Sequence, residues 1–146
     1  MSIIDTLRNI YGEKVKATVD KYNEIWIEIP SLLLREVLAL LQRNGYDHLS
    51  TITGHDDGER IRLIYHLIKF GTKSTEMVNI VTYADRNNPV VPSMINEYPS
   101  ALVYEREIFD LLGVKFEGHK GLKRLLLPED VPEDFHPLRK DFKVQE

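Results

Sequence analysis

Residues 60–70, Arg-Ile-Arg-Leu-Ile-Tyr-His-Leu-Ile-Lys-Phe, decide the fold. Side chains alternate between faces along a strand, so Ile61, Leu63, Tyr65 and Leu67 line one side and Ile64, His66, Ile68 and Phe70 the other. A strand that is apolar on both faces belongs in the interior of a sheet. Working outward, Gly54-His55-Asp56-Asp57-Gly58 reads as a turn joining this strand to one over residues 46–53, and residues 76–84 supply another. Further upstream, Val15, Ala17 and Val19, then Ile25, Ile27 and Ile29, recur at every second position around a turn at Asp20–Asn23, which predicts a hairpin. Two helices flank it. Residues 2–12 carry Ile3, Ile4, Leu7 and Ile10 on one stripe and stop at Gly12. Residues 31–45 carry a core stripe of Leu33, Leu34, Val37, Leu40 and Leu41, with Ser31 placed as N-cap and Asn44–Gly45 as the close. Helix, hairpin, helix and meander predict an α+β architecture: a mixed, largely antiparallel sheet covered by helices.

The chain has 146 residues, 42% of them apolar, enough to bury a sizeable core without covalent staples. With 19 Lys and Arg against 23 Asp and Glu, its formal charge is −4, and it lacks the broad basic field of a nucleic-acid binder. It contains no cysteine, so it supplies no disulfide, no thiolate nucleophile and no sulfur ligand to zinc or an iron–sulfur cluster. The start, MSIIDTLRNIYGEK, has no secretory apolar region, and no apolar run reaches the ~20 residues of a membrane-spanning helix. These features predict a cytoplasmic protein.

After Ala84 the character changes. Pro89, Pro92 and Pro99 punctuate a loop with at most one helical turn near residues 93–97. Pro99 then suits the first turn of a helix running to Leu112 and stopped by Gly113. Residues 122–127 read as one more strand. From Pro128 the chain is charged and poor in apolar residues, so the expected division is an α+β domain over 1–127 and an extended partner-docking tail over 128–146.

On a helical projection of residues 101–112, Leu102, Tyr104, Ile108, Phe109, Leu111 and Leu112 form a broad apolar arc with Glu105 near its middle, while Val103, Arg106, Glu107 and Asp110 fall opposite. A carboxylate in an apolar stripe needs a partner, because its desolvation is costly. Arg124 and Arg139 are candidate partners from the tail. Three readings stay open: an internal salt bridge, a charge-paired contact with another subunit, and an acid or base of raised pKa. His55-Asp56-Asp57 resembles a metal pair but is sufficiently explained as a turn, and His119 and His136 stand too far apart for a local metal motif. Gly113, Gly118 and Gly121 follow a helix rather than a strand and lack the spacing of a dinucleotide loop. A stand-alone metal-dependent hydrolase using His55, Asp56 and His119 is the competing enzymatic hypothesis, and a free-standing adaptor is the other.

Tyr104-Glu105-Arg106-Glu107-Ile108-Phe109-Asp110-Leu111-Leu112-Gly113, then Phe116-Glu117-Gly118-His119, Lys123-Arg124-Leu125-Leu126-Leu127-Pro128 and His136-Pro137-Leu138-Arg139-Lys140-Asp141-Phe142 form a recognisable series. It resembles the C-subunit, or 30 kDa subunit, family of respiratory complex I and its relatives in membrane-bound hydrogenases. The resemblance implies a non-catalytic subunit of the peripheral arm that binds no cofactor itself. Its neighbours would be a large hydrogenase-like subunit and iron–sulfur subunits, which carry the Fe–S clusters and, in some complexes, Ni–Fe. It implies a peripheral position on the cytoplasmic side of the cell membrane, held there only through the complex. Carried over position by position, Glu105, Arg106, Glu107, Asp110, His119, Arg124, His136, Pro137, Arg139 and Asp141 are the expected interface residues. Lys120 stands where the family usually has Pro, and Phe135 where it usually has Gly. The sequence also ends four residues after Phe142, where complex I members commonly continue. This short form is more similar to the subunits of energy-converting hydrogenases and related complexes, whose electron donors and acceptors differ.

Overall fold

A computed structural model describes residues 2–71, 74–119 and 138–139. Helix α1 (Ile3–Tyr11) begins where the Ser2 side chain accepts the Asp5 N–H, buries Ile3 and Leu7, and ends at Gly12 with φ of 59°. Ile10, placed on the same stripe by periodicity, is exposed. Strands β1 (Lys16–Val19) and β2 (Ile25–Glu28) form the expected hairpin, its turn fastened by Asp20, whose Oδ1 accepts the N–H groups of Tyr22 and Glu24. Ser31 does not cap the next helix. It opens a short 3₁₀ turn over Ser31–Leu33, and α2 (Leu34–Arg43) begins after it without a side-chain cap. The fully buried stripe of α2 is Leu34, Val37, Leu38 and Leu41, and the expected Leu33 and Leu40 are partly buried and pack against the same core.

Strands β3 (His48–Asp56), β4 (Arg60–Phe70) and β5 (Thr75–Asp85) complete a five-stranded sheet of order β1-β2-β5-β4-β3. Only the β2–β5 pairing is parallel, so the sheet is mixed and largely antiparallel, as the sequence predicts. The turn expected over residues 54–58 is shorter. β3 continues through Asp56, with Gly54 opposite Leu63 and Asp56 opposite Ile61. Asp57 then closes the tight turn by accepting the N–H groups of Glu59 and Arg60.

β4 lies inside the sheet, between β5 and β3, yet its two faces differ. Ile61, Leu63, Tyr65 and Leu67 are fully buried beneath the helices, together with Leu7, Leu34, Leu41, Ile27 and Ile80. Each such side chain contributes roughly 1.5–3 kcal/mol by leaving water. On the other side Ile64, His66 and Ile68 are half-buried and Phe70 is exposed.

The proline-rich segment holds an element that periodicity does not reveal. β6 (Val90–Pro92) pairs in parallel with β7 (Lys115–Glu117), and helix α3 (Ala101–Leu112) connects them. Three-residue strands are too short to show alternation, and their pairing is fixed by the crossover helix. The strand expected over residues 122–127, and the tail apart from residues 138–139, lie outside the described residues.

Candidate interface site on the third helix

Helix α3 is set on the sheet by close approach. A Cβ on Gly54 of β3 would stand 2.5 Å from Leu112 Cδ1 and 3.0 Å from Ile108 Cδ1, so the absence of a side chain there admits the helix. Before the helix, Ser100 Oγ donates to the Leu49 carbonyl and Tyr98 Oη donates to the carbonyls of Leu38 and Tyr46. After it, Gly113 adopts the left-handed conformation that closes a helix, with φ of 77° and its N–H on Phe109 O.

Ala101, Glu105, Ile108 and Leu112 make the buried stripe, so Glu105 sits in the apolar face as its position in the sequence predicts. Its described partners are a hydroxyl and a backbone N–H. Glu105 Oε1 accepts from Ser93 Oγ at 2.6 Å and Oε2 accepts from the Met94 N–H at 2.7 Å. Among the described residues the carboxylate therefore pins the segment after β6 to the helix through neutral donors, while Arg139 donates to the Arg86 carbonyl and Arg124 lies outside the described residues. Desolvation outweighs these two bonds and raises its pKa to about 7. Tyr65 Oη is also buried, without a hydrogen-bond partner among the described residues. Burial and the nearby Glu105 charge push that phenol well up. No sequence signal marks Ser93 as Glu105's partner, because a serine in a loop is common.

The rest of the helix departs from its projection in two places. Leu102 lies in the apolar arc but is 41% exposed, beside Val103 at 43%. Asp110, projected away from the core, is fully buried. Residues 138–139 return to this end of the helix: the Leu138 N–H donates to Leu111 O at 2.9 Å. Arg139 donates to the Arg86 carbonyl at 2.8 Å, and Arg86 Nε in turn donates to Asp56 Oδ1 at 2.9 Å. Arg106 and Glu107 are half-buried, and His119 Nε2 lies 3.1 Å from the Leu102 carbonyl. The structure thus gathers Glu105, Arg106, Glu107, Asp110, His119 and Arg139 around α3. Arg124, His136, Pro137 and Asp141 lie outside the described residues.

Arg86 is the member the sequence did not mark, and Asp56, read there as a turn residue, is in fact in a buried ion pair with it. With Asp56 held by Arg86 and His119 beside Leu102, the hydrolase residues His55, Asp56 and His119 do not form a centre. Among the described residues no group of His, Asp and Glu side chains is placed to hold a metal ion. No helix among them is long and apolar enough to cross a membrane.

The fold and this helix define a class: an α+β domain found in subunits of respiratory oxidoreductase complexes. A chain in the structure of the membrane-bound sulfane sulfur reductase, an archaeal respiratory membrane complex, has the same fold, with a TM-score of 0.84 over 97% of this chain and 84% of that one at 24% identity. A trypsin-resistant fragment of Nqo5 matches with a TM-score of 0.72 and 25% identity over 84% of this chain and all of the fragment. The C subunit of the NADH-quinone oxidoreductase of Moorella thermoacetica is 39% identical over 127 residues, 82% of this chain and 83% of that protein. NADH-quinone oxidoreductase subunit 5 of Thermus thermophilus is 33% identical over 134 residues, 84% of this chain and 63% of that protein. Residues 27–146 match the family described as respiratory-chain NADH dehydrogenase, 30 Kd subunit, and the chain belongs to that family.

Proposed function

We propose that this chain is a non-catalytic, cofactor-free subunit of the peripheral arm of a complex I-like NADH dehydrogenase or an energy-converting hydrogenase. In this reading it docks onto the large hydrogenase-like subunit through α3 and the C-terminal segment, beside the iron–sulfur subunits, and stabilises that neighbour during electron transfer. It reaches the cytoplasmic side of the membrane through the complex. The carrying observation is the outer surface of α3, where Leu102 and Val103 are exposed next to half-buried Arg106 and Glu107. An apolar pair rimmed by charges on the family's signature helix is what a protein contact requires. Two further features support the reading. The chain has no cysteine with which to hold a cluster, and Glu105 is committed to Ser93 and Met94 as a structural pin.

The test is recovery of a tagged chain from detergent-solubilised native membranes. Wild type is expected to bring down a hydrogenase-like large subunit, and Val103→Asp to lose it at least tenfold while melting as wild type does. Recovery without any oxidoreductase subunit refutes the reading.

A further inference from the structure

The sheet face turned away from the helices is built as carefully as the covered one. Trp26, the chain's single tryptophan, stands half-buried on it, and its Nε1 donates to Asp20 Oδ2 at 3.0 Å. The same aspartate fastens the β1–β2 turn, so the indole is held as a rigid platform. Across the face, Thr53 Oγ1 bonds His66 Nε2 at 3.1 Å, and His66 Nδ1 bonds Asn79 Oδ1 at 2.7 Å. The His66–Asn79 pair is flanked by two apolar pairs on the same face, Ile64 opposite the buried Val81 and Ile68 opposite Met77. The row of Arg62, Ile64, His66 and Ile68 on β4 is about 20 Å long, the reach of an extended segment of about six residues.

The charges on this face are unequal in their provision. Lys16 is paired with Glu28 at 3.7 Å, and Arg60 stacks over the Tyr83 ring at 3.4 Å. Arg62 has no carboxylate at ion-pair distance among the described residues, and its Nε is shut from solvent without a hydrogen-bond partner. It lines a shallow cleft of about 330 Å³ with Lys16, Thr18, Trp26, Glu28 and Val81. A half-buried guanidinium with an unmet donor gains most from a carboxylate, which accepts its planar fork and can shield it from water. Tryptophan and arginine together are the side chains that most often anchor protein interfaces.

We propose that this open face is a second docking surface, taking an apolar segment of a neighbouring protein subunit whose carboxylate seats on Arg62 beside Trp26. The proposal rests on the subunit reading above and places this contact on the opposite side of the sheet from α3. The chain would then be held between two neighbours.

Thr18, exposed at the cleft, is the position for a photocrosslinker. A tagged chain with Thr18→p-benzoylphenylalanine is expressed in the native host, membranes are irradiated, and the captured peptide is identified by mass spectrometry. The expected product is a segment of another subunit bearing Asp or Glu among apolar residues. Its yield should fall at least tenfold with Arg62→Glu and survive with Arg62→Lys, while both variants melt as wild type does. Capture of lipid, of a second copy of this chain, or of a segment without a carboxylate overturns the proposal. So does an absent crosslink in a complex that still contains the large subunit, an outcome that leaves the functional reading standing. A chain recovered with no partner removes both.

Discussion

Two regions of this molecule each bury a carboxylate, and they do so in opposite ways. At the β3–β4 turn Asp56 is completely enclosed and faces the guanidinium of Arg86, with Gly58 N–H on the same oxygen. On α3 Glu105 is just as enclosed, yet its donors are a hydroxyl and a backbone N–H. The first arrangement neutralises a charge. The second meets it only with neutral donors among the described residues, and burial raises the Glu105 pKa to about 7. A buried acid with a cation is a fixed strut, whereas one with neutral donors is a strut that titrates.

The largest effect is expected from breaking the ion pair. Arg86→Ala takes the guanidinium from a fully buried Asp56 and should cost about 3–5 kcal/mol in urea unfolding. If the loss is under about 1 kcal/mol, the two regions do not differ in kind.

Next comes the pH response of the other region. The folded pKa of Glu105 is raised above its ordinary 4.5, so its contribution is fully present below pH 4.5 and is lost as pH rises through about 7. Relative to Glu105→Gln, which cannot ionise, wild type should lose on the order of 3 kcal/mol between about pH 4.5 and pH 8. Parallel stability curves for the two proteins over that window would show that Glu105 is as fixed as Asp56.

A smaller effect tests how closely α3 sits. Gly54→Ala drives a methyl into Leu112 and Ile108 and should destabilise by about 2 kcal/mol in the same unfolding measurement. The least effect belongs to the exposed pair. Lys16→Ala removes a 3.7 Å contact between side chains 77% and 37% exposed, and should change stability by no more than about 0.5 kcal/mol.

Much of the frame is legible before any coordinates. The alternation of residues 60–70 places β4 inside the sheet, and the glycines at 12 and 113 close their helices where expected. Glu105 stands out because one charge interrupts an apolar arc. Its neighbours do not, since Ser93 lies twelve residues away in a loop with no periodicity. Asp56 reads as a turn residue, and it does accept the Gly58 N–H. Its ion pair crosses thirty residues to Arg86, which no local pattern announces. Angle alone assigns Leu102 to the core, although the surface α3 packs against leaves that side of the helix open.

By itself the sequence determined the sheet, its helices, the family's signature on α3 and the absence of thiolates, because side-chain periodicity and composition act within a few residues. The tertiary structure decided which groups meet: Ser93 with Glu105, Arg86 with Asp56, residues 138–139 with the end of α3, and which face of β4 is left uncovered. Those outcomes depend on closing loops between distant segments, and the free energy of closure rests on how whole elements pack rather than on any single stretch of residues.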